Sequence, residues 1–154
     1  MDKDNLFAYI VNKFPFVEKL ANFLPAEELA LKVPKEIFFE LARLLKEDPT
    51  LNFDYLSFIT AVDYADRLEV VYHFFSFEHR HKIFLKIDVS RDKSEIPSLF
   101  GLWPTANWHE RETYDLLGIN FIGHPDLRRI LLPADWPEGP PLRKDYQHQA
   151  DKYD

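Results

Sequence analysis

The 154-residue chain contains no cysteine. That single absence removes disulfides, thiolate zinc sites, cysteine-ligated iron–sulfur clusters and a cysteine nucleophile. Glycine is nearly as scarce. All four glycines (Gly101, Gly118, Gly123, Gly139) lie beyond residue 100, so the first hundred residues hold no glycine loop able to cradle a phosphate. An autonomous nucleotide- or dinucleotide-binding enzyme is therefore not expected. Ser57 and Ser76 lack the flanking glycines of a nucleophile elbow. Positive charge is also short: 19 Lys and Arg against 26 Asp and Glu give −7, which disfavours non-specific nucleic-acid binding. No run approaches the roughly 20 apolar residues that cross a bilayer. The polar start, Met1-Asp2-Lys3-Asp4-Asn5, lacks the basic and apolar regions of a secretory signal. A soluble chain is expected, which leaves membership of a membrane complex open.

Apolar material is plentiful, at 46% hydrophobic and 16% aromatic, and a chain of this length fits one domain with one sizeable core. Leu6, Tyr9, Ile10 and Phe14 recur at helical spacing until Pro15. Residues 29–33 read as a short strand. Pro34 then opens a helix whose apolar stripe is Ile37, Phe38, Leu41, Leu44 and Leu45, ended by Asp48-Pro49. Three strands follow at 53–62, 67–77 and 81–89. The middle one is apolar on both faces, as a central strand would be, and the last alternates cleanly. Their glycine-free joins predict longer or type I-like turns. A short helix is expected over 94–100. Asn107, with Glu110 three residues on, predicts a capped helix over 107–118 closed by Gly118. The pattern predicts a two-layer α+β domain over 1–122, with a small, mostly antiparallel sheet covered by helices.

From Gly123 to residue 154 the texture changes. Pro125, Pro133, Pro137, Pro140 and Pro141 stiffen a segment that also carries Leu127, Ile130, Leu131, Leu132, Trp136 and Leu142. Disordered tails are poor in such residues, so an extended, Pro-rich tail that lies against something is expected. The densest charge cluster, His109 to Asp115, misses the zinc-protease spacing because position 113 is Thr. Helical spacing instead brings Glu112 near Asp115 and Arg111 near Asp115, with Arg128 and Arg129 available to pair with the carboxylates. His79 and His81 are expected in a turn or in solvent, and His73 as a hydrogen-bonded core or interface residue. A metal-dependent hydrolase using His109, Glu110 and His124, and a regulatory binding module, are the alternatives.

Three stretches carry a resemblance. Glu110-Arg111-Glu112-Thr113-Tyr114-Asp115-Leu116-Leu117-Gly118-Ile119, then Gly123-His124-Pro125-Asp126-Leu127-Arg128-Arg129-Ile130-Leu131, then Pro141-Leu142-Arg143-Lys144-Asp145-Tyr146 resemble one family. It is the C-type, or thirty-kilodalton-type, subunit of the proton-translocating NADH–quinone oxidoreductase, respiratory complex I. Leu51 to Leu56 and Thr60 to Tyr64 are similar to it too, so about residues 30–146 are covered. The resemblance implies a hydrophilic subunit of the peripheral arm, on the cytoplasmic side of the cell membrane. It implies no catalytic residue, metal or cofactor in this chain, with flavin and iron–sulfur clusters in partner subunits. The tail would dock the D-type subunit that helps to form the quinone site. Glu110, Arg111, Glu112, Asp115, Arg128 and Arg129 would orient that tail or meet charges on the partner, with Trp136 inside the tail. Related subunits occur in membrane-bound hydrogenases and in ferredoxin- or F420-type dehydrogenases. Pro140 stands where relatives often have His, and the chain stops eight residues after Tyr146.

Overall fold

The structure is a computed structural model and describes residues 1–21 and 27–147. Helix α1 (Lys3–Lys13) is opened by Asp2, whose side chain accepts the Asn5 N–H at 2.8 Å. Strand β1 (Glu18–Lys19) and strand β2 (Leu29–Lys32) lead to helix α2 (Lys35–Glu47). Pro34 stands just outside α2 as its N-cap, where its missing N–H costs nothing. Strands β3 (Tyr55–Asp63), β4 (Leu68–Phe75) and β5 (Lys82–Val89) come next, then β6 (Glu95–Pro97), helix α3 (Ala106–Leu117) and β7 (Asn120–Ile122).

Five strands form one sheet in the order β1-β2-β5-β4-β3, antiparallel throughout except for the β2–β5 pair. The fold is α+β, as expected, with β4 flanked on both sides. Leu68, Val70, Tyr72 and Phe74 of β4 and Ile83, Leu85, Ile87 and Val89 of β5 are all buried, and they share a core with Leu6 and Ile10 of α1 and with Phe38, Leu41 and Leu45 of α2. The Phe38 and Tyr72 rings meet at 4.7 Å. Trp103 closes the core near α3: its ring lies 4.7 Å from Phe74 and its indole N–H donates to the Phe53 carbonyl at 2.9 Å. On the opposite face of the sheet, Phe58 stacks on His73 with Phe84 tilted against both, and Glu69 pairs with Lys32 and Lys86.

Three expectations give way. Residues 94–100 form no helix: β6 runs there and pairs in parallel with β7, a non-local partnership that helical spacing does not reveal. α3 starts at Ala106 behind Thr105, and neither Asn107 nor Glu110 makes the anticipated cap. The β3–β4 turn is tight, closed by Tyr64 N–H to Arg67 C=O at 2.9 Å, with Ala65 at a left-handed φ of +70°. The Asp63 side chain accepts the Ala65 N–H at 2.8 Å and holds that unusual conformation.

Candidate functional site: the helix α3 and tail junction

Helix α3 buries a polar face. Glu110, Arg111, Thr113 and Asp115 are all buried, and the charged three bond to chain segments outside the helix. Glu110 points into the domain, accepting the Ser98 hydroxyl at 2.6 Å and the Leu99 N–H at 2.7 Å. Burial pushes its carboxyl up to about 7, against the downward pull of those two bonds. It therefore anchors the β6–α3 loop and is not presented to solvent. Among the described residues no three His, Cys, Asp or Glu are placed to share a metal ion. The His109, Glu110 and His124 constellation is not brought together as a catalytic set. His124 accepts the Asp126 N–H on Nδ1 at 3.0 Å, a bond internal to its own turn. Pro125 beside it is exposed.

Asp115 and Arg111 hold the following segment. Asp115 Oδ2 accepts the N–H groups of Ile130, Leu131 and Leu132 at 3.2, 2.7 and 2.9 Å. Arg111 donates to the carbonyls of Arg128 and Arg129 at 3.1 and 3.2 Å, and its guanidinium lies 4.9 Å from the centre of the exposed Trp108 ring. Proline-punctuated chain has no ladder of its own, so buried side chains must satisfy its backbone groups. Here a carboxylate takes three donors and a guanidinium supplies two. The expected pairing of Arg128 and Arg129 with the helix carboxylates does not form. Arg128 pairs with Asp126 at 3.0 Å, and Arg129 donates to the carbonyls of Pro133 and Trp136 at 2.9 and 2.8 Å, closing the tail on itself. Glu112 is exposed.

The chain then returns to the end of α3. Gly118 takes a left-handed φ of +71° as C-cap, and a Cβ there would come within 2.6 Å of Pro140 Cγ. Glycine thus serves both the helix end and the close approach of Pro140. Leu142 N–H bonds to Leu116 C=O at 2.9 Å, while Arg143 donates to Leu117 C=O at 2.7 Å and to the Ser94 hydroxyl at 3.1 Å. Pro141, just before Leu142, is half-buried, and Lys144 is exposed. Lys144 N–H donates to Asp63 Oδ2 at 2.7 Å, and Arg91 bridges Asp63 to Asp145. Burial alone would raise the Asp63 carboxyl, but the N–H groups of Lys144 and Ala65 and the Arg91 guanidinium hold it down at about 2. Trp136 bonds to Gly139 C=O at 2.8 Å and its ring stacks on Tyr146, whose hydroxyl donates to Glu138.

Asp63, Arg91, Ser94 and Ser98 are anchors that sequence reasoning does not single out. Asp63 lies inside the Thr60–Tyr64 stretch, but nothing local distinguishes it as a tail ligand. His81, expected in a turn or in solvent, is instead buried, with Nε2 2.6 Å from Leu51 C=O; burial lowers its pKa. His73 is hydrogen-bonded as expected, to Glu28 at 2.9 Å.

The stretch so organised lies within a longer family match. Residues 31–152 match the family described as respiratory-chain NADH dehydrogenase, 30 Kd subunit. The chain belongs to that family. Its curated relatives include the C-type subunit of the NADH-quinone oxidoreductase of Roseiflexus sp. (strain RS-1), 51% identical over 121 residues that make up 77% of this chain and 69% of that one. Among solved structures, the trypsin-resistant fragment (1–134) of Nqo5 is similar at a TM-score of 0.70 and 29% identity, covering 82% of this chain and all of that one. A chain of the membrane-bound sulfane sulfur reductase, an archaeal respiratory membrane complex, is similar at a TM-score of 0.79 and 27% identity over 96% of this chain and 87% of that one. As a 30 kDa-type subunit, the chain carries the stretches that resemble its family in α3 and the tail, where the packing just described concentrates. No helix among its described residues is long and apolar enough to cross a membrane.

Proposed function

We propose that this chain is a non-catalytic subunit of the peripheral arm of a proton-translocating NADH–quinone oxidoreductase. It supports electron transfer from NADH to quinone by docking the D-type subunit on the cytoplasmic side of the membrane. Flavin and iron–sulfur clusters reside in partner subunits. The observation that carries this reading is the way the tail is held. Its backbone is tied to α3 by Asp115, Arg111 and Arg143, yet Leu131 and Leu142 stand 61% and 58% exposed. A segment fixed by its own domain loses little entropy on docking, and outward leucines give a partner apolar area. With Trp108 58% exposed over Arg111, the junction offers the aromatic and arginine chemistry common at interface hot spots.

The 51% identity to a C-type subunit of that enzyme favours the NADH–quinone complex over a related hydrogenase-type or ferredoxin- or F420-type assembly. A hydrolase is disfavoured because both Glu110 oxygens are already engaged by Ser98 and Leu99. The test is recovery of the D-type subunit with a tagged chain truncated after Gly123, alongside a full-length Leu131→Asp variant that keeps the Asp115 bonds. Both are expected to recover less. Undiminished recovery with both would overturn the reading.

A further inference from the structure

The β4–β5 turn, residues 76–81, is braced from outside itself. Phe77 N–H donates to Asp54 Oδ1 at 3.0 Å, and Asn52 donates to Glu78 at 2.6 Å. The His79 and His81 rings donate to the carbonyls of Pro49 and Leu51 at 2.8 and 2.6 Å. All four bonds reach the loop 48–54 that enters β3, so turn and loop form one rigid end of the sheet. That end holds aromatic side chains outward. Phe77 is 59% exposed and Tyr55, at the start of β3, 42%. Their rings lie 5.5 Å apart, and Phe75 meets Phe77 edge-on at 4.8 Å, so the three make one patch. Single exposed hydrophobics are ordinary, whereas a contiguous apolar patch marks a contact surface.

The charges beside the patch are unevenly matched. Asp54 takes the Phe77 N–H, Glu78 takes Asn52, and Glu28 holds His73 at 2.9 Å and Lys82 at 3.4 Å. These three carboxylates are engaged within the chain. Arg80, exposed in the same turn, has no side-chain partner among the described residues. An unpaired guanidinium beside exposed aromatics, in a chain of net charge −7, is complementary to a carboxylate brought from outside. Tyr and Arg are also the side chains most enriched at interface hot spots, and a turn already fixed by its own bonds loses little entropy on docking.

We propose that this end of the sheet docks another protein subunit, through a surface on which an Asp or Glu faces Arg80 and aliphatic side chains cover Tyr55 and Phe77. This rests on the reading of the chain as a subunit of a larger complex, and it adds an interface remote from the leucine-bearing tail. Nine-residue β3 puts about 26 Å between Tyr55 and Asp63, the residue that holds Lys144 of the tail. A second copy of this chain is the less complementary occupant, since a two-fold contact sets Arg80 against its own equivalent and the patch has no spare carboxylate among Asp54, Glu78 and Glu28. The net charge of −7 opposes an anionic membrane.

The experiment is hydroxyl-radical footprinting of Tyr55 and Phe77 in the purified chain and in the intact complex. Their oxidation is expected to slow about tenfold or more in the complex, as it does for side chains at the dry centre of an interface. Equal rates in chain and complex would overturn the proposal. Arg80→Glu and Phe77→Ser supply the second arm. Both positions are exposed, so the urea denaturation of the isolated chain should stay close to that of the parent. Each variant is expected to reduce recovery of at least one subunit of the complex with a tagged chain about tenfold or more. Recovery of every subunit at the parent level with both variants overturns the proposal. Dimerisation of the isolated chain, or its retention on phosphatidylglycerol vesicles, that Arg80→Glu abolishes would overturn the choice of partner. Failure of the parent chain itself to enter the complex would instead count against the function proposed above.

Discussion

Asp115→Asn tests how the tail is held. In the parent, one carboxylate oxygen takes three backbone N–H groups, at 3.2, 2.7 and 2.9 Å, from a residue only 5% exposed. Hydrogen bonds to an ionised acceptor contribute roughly 1.5–3 kcal/mol each, and neutral ones roughly 0.5–1.5. An amide oxygen in the same place therefore loses about 1 kcal/mol per bond, or about 3 kcal/mol for the three. The loss falls on the local opening of residues 128–132 more than on global unfolding, because the opened segment regains its donors' partners from water. At about 1.4 kcal/mol per tenfold, opening becomes roughly a hundredfold more frequent. The assay is amide exchange at Ile130, Leu131 and Leu132, with Glu112→Gln on the exposed side of the same helix as control. Protection is expected to fall about a hundredfold in Asp115→Asn and to stay within a factor of about two in Glu112→Gln, a surface change. Equal protection in Asp115→Asn and parent would refute the idea that this carboxylate fixes the tail.

Gly118→Ala is expected to cost about 2 kcal/mol or more, from a left-handed φ of +71° and a Cβ 2.6 Å from Pro140 Cγ; a loss below about 0.5 kcal/mol in urea denaturation would contradict the close approach. Glu110, raised to about 7, contributes stability that is fully present below its unfolded value near 4.5 and is lost as pH rises through 7. The loss is on the order of 3 kcal/mol, and Glu110→Gln should flatten that part of the stability–pH profile while leaving the acid limb in place. On that limb Asp63 acts with the opposite sign: its contribution is present above about 3.8 and is lost as pH falls through 2, with the Lys144 amide exchanging faster as it goes. Trp103→Ala, which removes a 2%-exposed ring and its bond to Phe53, should destabilise by roughly 3–5 kcal/mol in the same denaturation assay.

Much of this architecture is legible in the sequence because it is locally encoded. The stripe of Phe38, Leu41 and Leu45 specifies α2, and the alternation of Ile83, Leu85, Ile87 and Val89 specifies which face of β5 is buried. Gly118 announces the end of α3 through a conformation that only glycine adopts cheaply. What escapes is non-local. β6 is a strand only because β7 pairs with it from a distant part of the chain, Glu95 against Asn120. Helical spacing makes Glu110 a capping partner and Arg111 half of an i,i+4 pair, because those partners come first along the chain. The fold offers better ones: loop groups at 98–99 for the carboxylate and tail carbonyls at 128–129 for the guanidinium. A charged helix does meet the start of the tail, but through other partners than the spacing suggests. The anticipated side-chain pairs give way to backbone groups of the tail. The end of the tail, 148–154, lies outside the described residues.

The face bearing Leu131 is proposed to meet the D-type subunit. A photoreactive phenylalanine analogue at Leu131, irradiated in the assembled complex, tests it directly, since the side chain is outward and its backbone bond to Asp115 is retained. One dominant cross-linked product is expected, containing this chain and the D-type subunit. Cross-linking to other subunits alone, or no product from a fully assembled complex, would contradict it.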